Sequence, residues 1–159
     1  MTQVLVLLLA LLIGVVAGLR ALTPPAVVSW AAFLGWLHLD HTWASWIAIV
    51  GVTVLLTILL VIELITDQLP KTPSRKTPMQ FGVRLITGGF AGAVIGAGFG
   101  YDFTALAAGV VGALLGTLGG YEARRRLAGA FGRDLPAAVL EDIVAVGGGF
   151  LLVYLVSLV

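Results

Sequence analysis

Long apolar blocks separated by short polar edges run the length of this chain. A bilayer is crossed by about 20 apolar residues, with a usable range of roughly 17 to 25, and six segments meet that measure. The first runs from about Gln3 to Leu19. The second follows Thr23-Pro24-Pro25, where proline suits a first helical turn, and ends near Leu37. The third runs from about Trp46 to Asp67 and stops before Pro70. Between it and the fourth, Lys71 to Met79 includes Pro73 and Pro78 and predicts extended backbone. The fourth runs from about Phe81 to Gly100, the fifth from about Thr104 to Arg125 and the sixth from about Pro136 to Val159. Asp134 is placed to favour the last helix's N-terminal dipole. No long polar extension is expected on any of them. The fold class predicted is all-α, a single transmembrane domain over residues 1–159 with six spans.

Composition agrees with a bilayer solvent. Of 159 residues, 60% are hydrophobic and 11% charged, and the mean hydropathy is +1.10, outside the range of a domain whose surface must be wetted. A net charge of +1 leaves no basic excess for nucleic acid. The chain has no cysteine, so disulfides and thiolate metal sites are excluded. The first apolar run lacks the basic flank and cleavage site of a secretory signal and reads as a membrane helix.

Charge placement orients the spans. The connections after the first, third and fifth helices hold Arg20, then Lys71, Arg75, Lys76 and Arg84, then Arg124, Arg125, Arg126 and Arg133, which are all nine Lys and Arg residues. The other side has His38, Asp40, His41 and Asp102. By the positive-inside rule the basic side is cytoplasmic and both termini face outward, as expected of a multi-pass protein of a bacterial inner membrane.

A short internal repeat runs through the polar edges. Gly18-Leu19-Arg20-Ala21-Leu22-Thr23 matches Gly82-Val83-Arg84-Leu85-Ile86-Thr87, and the helix after next ends with Glu63 in one case and Glu122 in the other. A two-helix unit repeated in parallel orientation is the expectation; in transporters such repeats place the functional site between them.

The elements AGLRALTP, ELITDQLPKTPSR and LEDIVAVGGG resemble a family of small bacterial polytopic membrane proteins classed only as a domain of unknown function, and the resemblance extends over most of the chain. The resemblance implies a compact helical membrane domain and no established activity. Gln68 stands where the family pattern usually has lysine after the aspartate, so no role of that lysine carries over.

Candidate chemistry gathers at the basic side. Glu63 and Asp67, four apart, share one face of the third helix. Glu141 and Asp142 lie roughly 8 Å into the sixth helix at 1.5 Å per residue. With Arg20, Thr23, Arg84, Thr87, Tyr121, Glu122 and Arg126 they predict one polar layer near the inner face. Ionisable groups there cost on the order of 2–3 kcal/mol each at the helix centre, so they should turn inward and pair. Three roles follow. The arginines can bind a small anion or lipid phosphate in a cytoplasm-facing cavity, in a transporter or lipid-handling protein without a cofactor, with Arg20, Thr23, Glu63, Asp67, Arg84, Thr87, Glu122, Glu141 and Asp142 as the binding set. Alternatively Glu63, Asp67, Glu141 and Asp142 hold a divalent cation, Mg²⁺, Mn²⁺ or Ca²⁺, in an enzyme acting on a phosphorylated membrane lipid. The third role is structural or partner-binding, with the charges locking helix ends together. Membrane lipids are the expected partners throughout.

Gly88, Gly92 and Gly96 recur at four-residue spacing, as do Gly112, Gly116 and Gly120. Such stripes predict close contact between the fourth and fifth helices, with a homodimer seam as the alternative. Gly147-Gly148-Gly149 leaves room beside the Glu141-Asp142 level. His38-Leu39-Asp40-His41 reads as solvated surface, with a metal site at the outer face as the alternative. Lys71 to Lys76 reads as a basic collar for anionic headgroups or equally as a topology signal alone, and Trp30, Trp36, Trp43 and Trp46 as anchors at the outer face.

Overall fold

The computed structural model describes residues 2–67 and 77–158, so the proposed collar at Lys71 to Lys76 lies outside the described residues. Six α-helices follow one another: α1 (Gln3–Leu19), α2 (Thr23–Phe33), α3 (Val50–Thr66), α4 (Pro78–Ala97), α5 (Asp102–Phe131) and α6 (Asp134–Ser157). A 3-10 turn, Ser45–Ala48, precedes α3, and no strand occurs among the described residues. Three of the helices, α4, α5 and α6, are long and apolar enough to cross a membrane, while α1 and α3 are shorter apolar helices of 17 residues.

α3 starts at Val50, four residues later than the apolar run suggests, and α4 is shifted by three residues toward the N-terminus, so that Pro78 and Met79, expected as extended backbone, open its first turn. Two further elements differ at their ends. α2 stops at Phe33 because Gly35 takes a left-handed turn (φ 73°), after which the amides of Trp36 and Leu37 fold back onto the Ala31 carbonyl. With 11 residues it is about 16 Å long at 1.5 Å per residue. α5 runs on past Arg125 to Phe131, giving 30 residues, or about 45 Å. The arginines do not end it, because Glu122 accepts from Arg125 and Arg126, three and four residues ahead, and such pairs support a solvated helix. Gly132, in the left-handed region (φ 66°), then terminates it.

α1, α4 and α5 form the tight centre, each touching the other two. Small residues make this possible. A Cβ on Gly92 would sit 2.5 Å from the Ala105 carbonyl oxygen, and one on Gly88 would sit 2.7 Å from the Ala113 Cβ. The α4 stripe therefore does lie on α5, but against Ala105, Gly109 and Ala113. The α5 stripe faces elsewhere: Gly112 and Gly116 receive the carbonyl oxygens of Leu11 and Val15 of α1. α5 thus presents two neighbouring small-residue faces to two partners, consistent with association by close backbone approach.

α6 packs on α5, α1 and α2, and α2 on α3 and α4. Buried hydroxyls join α2 to α3. Ser29 donates to the Ile47 carbonyl at 2.7 Å and shares a 2.8 Å hydrogen bond with Thr53, while the Trp30 indole N–H donates to Thr57 at 3.0 Å. At this end of the molecule the aromatic residues meet: Trp36 packs edge-on against Tyr154, and Trp43 against Phe90. The burial pattern is compatible with a membrane protein. Arg20 and Arg84 are 0% and 1% exposed, whereas Ile143 is 63% exposed and Ile65 61%, with charge inside and large apolar side chains on the outer faces.

Candidate functional site

Every helix contributes to one polar layer at the end opposite the tryptophans, and its centre is a break in the chain. α1 ends at Leu19, Arg20 is extended (φ −140°, ψ 116°), and α2 begins at Thr23. Such a break leaves the last carbonyls of one helix and the first amides of the next without intrahelical partners. Pro24 and Pro25 remove two amides from that account. No local Ser, Asp or Asn caps the rest, so the partners come from distant helices.

Arg84, in the second turn of α4, serves the carbonyl side. Its Nη1 donates to the carbonyl oxygens of Gly18 at 2.7 Å and Leu19 at 2.8 Å. Glu63 of α3 serves the amide side, its Oε1 accepting from the Ala21 N–H at 2.8 Å and its Oε2 from the Leu22 N–H at 2.9 Å. A buried break of this kind is tolerated in an apolar medium only where its backbone groups are met inside the protein.

Between the two caps lies the Arg20 guanidinium. Its Nε donates to Asp142 Oδ1 of α6 at 2.6 Å, its Nη2 donates to the same oxygen, and its Nη1 donates to Asp67 Oδ2 at the end of α3. Arg20 is fully buried, while the two aspartate side chains keep 14% and 13% of their surface exposed. The carboxylates are the edge of the cluster and the guanidinium its interior. Glu63 and Asp67, one turn apart, thus serve one locus with different tasks.

Glu141 and Asp142 diverge because successive helical positions point about 100° apart. Asp142 meets Arg20, and Glu141 turns to α5, where Arg124 Nη1 reaches it at 3.5 Å. Arg124 also grips Asp134 in a two-pronged pair of 2.9 and 2.6 Å, clamping α5 to the start of α6. Glu122 stands on the outer side of α5 with Arg125 and Arg126, away from Arg20. Thr87 donates to the Arg84 carbonyl at 3.3 Å within its own helix. Thr23 is fully buried, and its hydroxyl has no hydrogen-bond partner among the described residues. It sits against α6, where a Cβ on Gly149 would lie 3.4 Å from its methyl group. Gly147 and Gly148 have open space around them instead.

The layer therefore brings together Arg20, Thr23, Glu63, Asp67, Arg84 and Asp142, with Glu141 attached through Arg124. The two arginines of the sequence repeat have different backbone settings, one in an extended link and one inside a helix. Glu63, Asp67, Glu141 and Asp142 each have a protein partner, and among the described residues no three His, Asp or Glu side chains converge in a way that would hold a metal ion. At the opposite end His38 and Asp40 line a cavity of about 70 Å³ with Ala32, Gly35 and Ser45. The capping roles of Glu63 and Arg84 escape pairwise charge reasoning. The signal for them was present, since a helix break without local caps has to draw its partners from charges elsewhere.

A family model described as a domain of unknown function, DUF4126, matches residues 7–156. No curated protein and no solved structure matches the chain.

Proposed function

Because the chain belongs to the DUF4126 family, whose function is undefined, we propose a role from the geometry: a membrane transporter or lipid-handling protein that recognises a small anion or lipid phosphate through Arg20. One observation carries this reading. A guanidinium fully buried at a helix break is held by two carboxylates that come from two other helices and still reach the surface. An incoming phosphate can take the place of one carboxylate by exchange, so that Arg20 never loses an anionic partner and the displaced aspartate moves outward into a polar medium. Guanidinium suits this exchange because its planar donors match either oxyanion in two-pronged fashion. Thr23, with its unused hydroxyl three residues after Arg20, supplies a further donor, and Glu63 and Arg84 keep the backbone of the break in place.

Six crossings fit this reading. α1 and α3, at 17 residues, stand at the short end of the roughly 17–25 residues that span a bilayer, and α2 with residues 34–49 completes the second passage. In that arrangement the basic side is cytoplasmic by the positive-inside rule, both termini lie outside, and the Arg20 layer faces the cytoplasm. The membrane would then be a bacterial inner membrane. A parallel two-helix repeat remains part of the proposal on the sequence match around Arg20 and Arg84 alone.

The test is thermal stability of purified protein titrated with phosphate, glycerol phosphate and sulfate. Asp67→Asn weakens the hold on one guanidinium nitrogen, so anions should bind it at least tenfold more tightly than wild type, the equivalent of about 1.4 kcal/mol. Arg20→Gln should abolish the shift. If folded Asp67→Asn protein responds to none of these anions, the cluster is a structural lock and the transport reading falls. If binding is found, flux from reconstituted vesicles comes next.

A further inference from the structure

The polar layer is not the end of the molecule. Gly18 of α1 lies against Gly116 and Thr117 of α5, so α5 continues for about 14 residues beyond that level to Phe131, roughly 21 Å at 1.5 Å per residue. α6 begins at Asp134 and rejoins the layer at Asp142. The two form a hairpin whose arms are tied by Arg124, which reaches both Asp134 beside the turn and Glu141 further along α6. Its surface combines two chemistries. Arg125 and Arg126 have side chains 67% and 78% exposed, and Arg133 at the hairpin's turn is exposed as well. Leu127, Phe131 and Leu135 are 38%, 49% and 58% exposed. Around α5, residues 122, 125, 126 and 129 share one face and residues 123, 127, 130 and 131 the adjoining one, so the cationic and apolar strips lie side by side.

We propose that this hairpin is an interfacial element that docks on the acidic phospholipid headgroups of the bilayer the protein spans, at a site separate from Arg20. Charge complementarity selects the occupant. From Glu122 to Asp134 the hairpin has four arginines against two carboxylates, and a helix with a cationic face and neighbouring leucine and phenylalanine matches the headgroup and acyl boundary, where apolar side chains sink a few ångströms and guanidinium meets phosphate. Glu122 shares one oxygen between Arg125 and Arg126 and orders them without neutralising both. The proposal rests on the reading of the chain as membrane-spanning but not on anion exchange at Arg20.

The cysteine-free sequence permits a direct test. Phe131→Cys and Leu127→Cys, each spin-labelled, are reconstituted into nanodiscs of phosphatidylglycerol mixed with phosphatidylcholine or of phosphatidylcholine alone, and accessibility to oxygen and to a water-soluble nickel complex is measured. Both labels should enter the interfacial zone in acidic bilayers at low salt and move toward the aqueous values at high salt. In a background of Arg125→Gln, Arg126→Gln and Arg133→Gln, the affinity of phosphatidylglycerol for the protein should fall by roughly fivefold for each arginine removed. Labels that stay aqueous in acidic bilayers overturn the proposal and leave the hairpin free for a protein partner. So does full protection by soluble glycerol phosphate, which would make the ligand a free phosphate, and so does an acidic-lipid response unchanged in the triple variant. Arg20→Lys should leave the label positions unaltered, so a failure of the exchange reading and a failure of this one are separable.

Discussion

Glu63→Gln isolates the cap on the broken helix. Wild-type Glu63 takes two amide hydrogen bonds, from Ala21 and Leu22, at 2.8 and 2.9 Å. Hydrogen bonds to a charged acceptor contribute about 1.5–3 kcal/mol each, and neutral ones about 0.5–1.5 kcal/mol. Glutamine keeps one neutral acceptor and turns an NH₂ toward the other amide, so the local loss is at least about 2 kcal/mol. At 1.4 kcal/mol per factor of ten, the amides of Ala21 and Leu22 should exchange with deuterium roughly 30-fold faster. The assay is residue-resolved hydrogen exchange in bicelles, with α4 amides near Gly92 as the internal reference. Glu63→Leu, which leaves both amides without an acceptor, should exceed the glutamine effect. The cap account is refuted if exchange at Ala21 and Leu22 rises less than threefold, or if the reference amides accelerate equally.

Three further substitutions follow from the same geometry. Asp142→Asn leaves buried Arg20 with one carboxylate and should cost about 3 kcal/mol in denaturation from detergent; a loss under about 1 kcal/mol would mean the pair is not retained in solution. Gly92→Ala drives a methyl group into the Ala105 carbonyl and should destabilise by about 1–3 kcal/mol, whereas Gly147→Ala meets open space and should stabilise α6 by about 0.5–1 kcal/mol. Equal melting shifts for the two would contradict the packing described. Thr23→Val keeps the β-branched shape and removes a buried hydroxyl that lacks a partner among the described residues, so the ligand-free protein should gain about 1 kcal/mol while its anion response weakens; destabilisation would show that the hydroxyl is bonded.

What could be read in the sequence depended on range. α1 is bounded at Gln3 and Leu19 as the apolar run predicts, because an apolar block ending in Arg20 needs no tertiary knowledge to interpret. α2 was overestimated by four residues because Leu34, Trp36 and Leu37 continue the apolar composition through a turn set by Gly35. α5 was underestimated because hydropathy falls at Arg124 while the helix goes on, carried by Glu122 pairing forward along it. The polar layer was legible as a set, since buried charges near one end have to gather. Its internal division of labour was not. Which carboxylate meets Arg20 depends on how α3 and α6 rotate about their axes, and a glutamate capping backbone amides resembles, in sequence, a glutamate awaiting an arginine. Glu122 illustrates the same limit, being drawn to its own helix neighbours instead of the layer.

The placement of α5 between α1 and α4 has a consequence for biogenesis. α1 is synthesised first, yet its closest backbone contacts are with Gly109, Gly112 and Gly116 of α5, about a hundred residues later in the chain. Until those glycines leave the ribosome, α1 has Gly88 of α4 to set beside Ala17 but lacks its closest-packed surface, and Arg20 at its end awaits Asp142 for longer still. Assembly therefore closes late, after nearly the whole chain has been made, and intermediates truncated before α5 should be held by chaperones or removed by proteases.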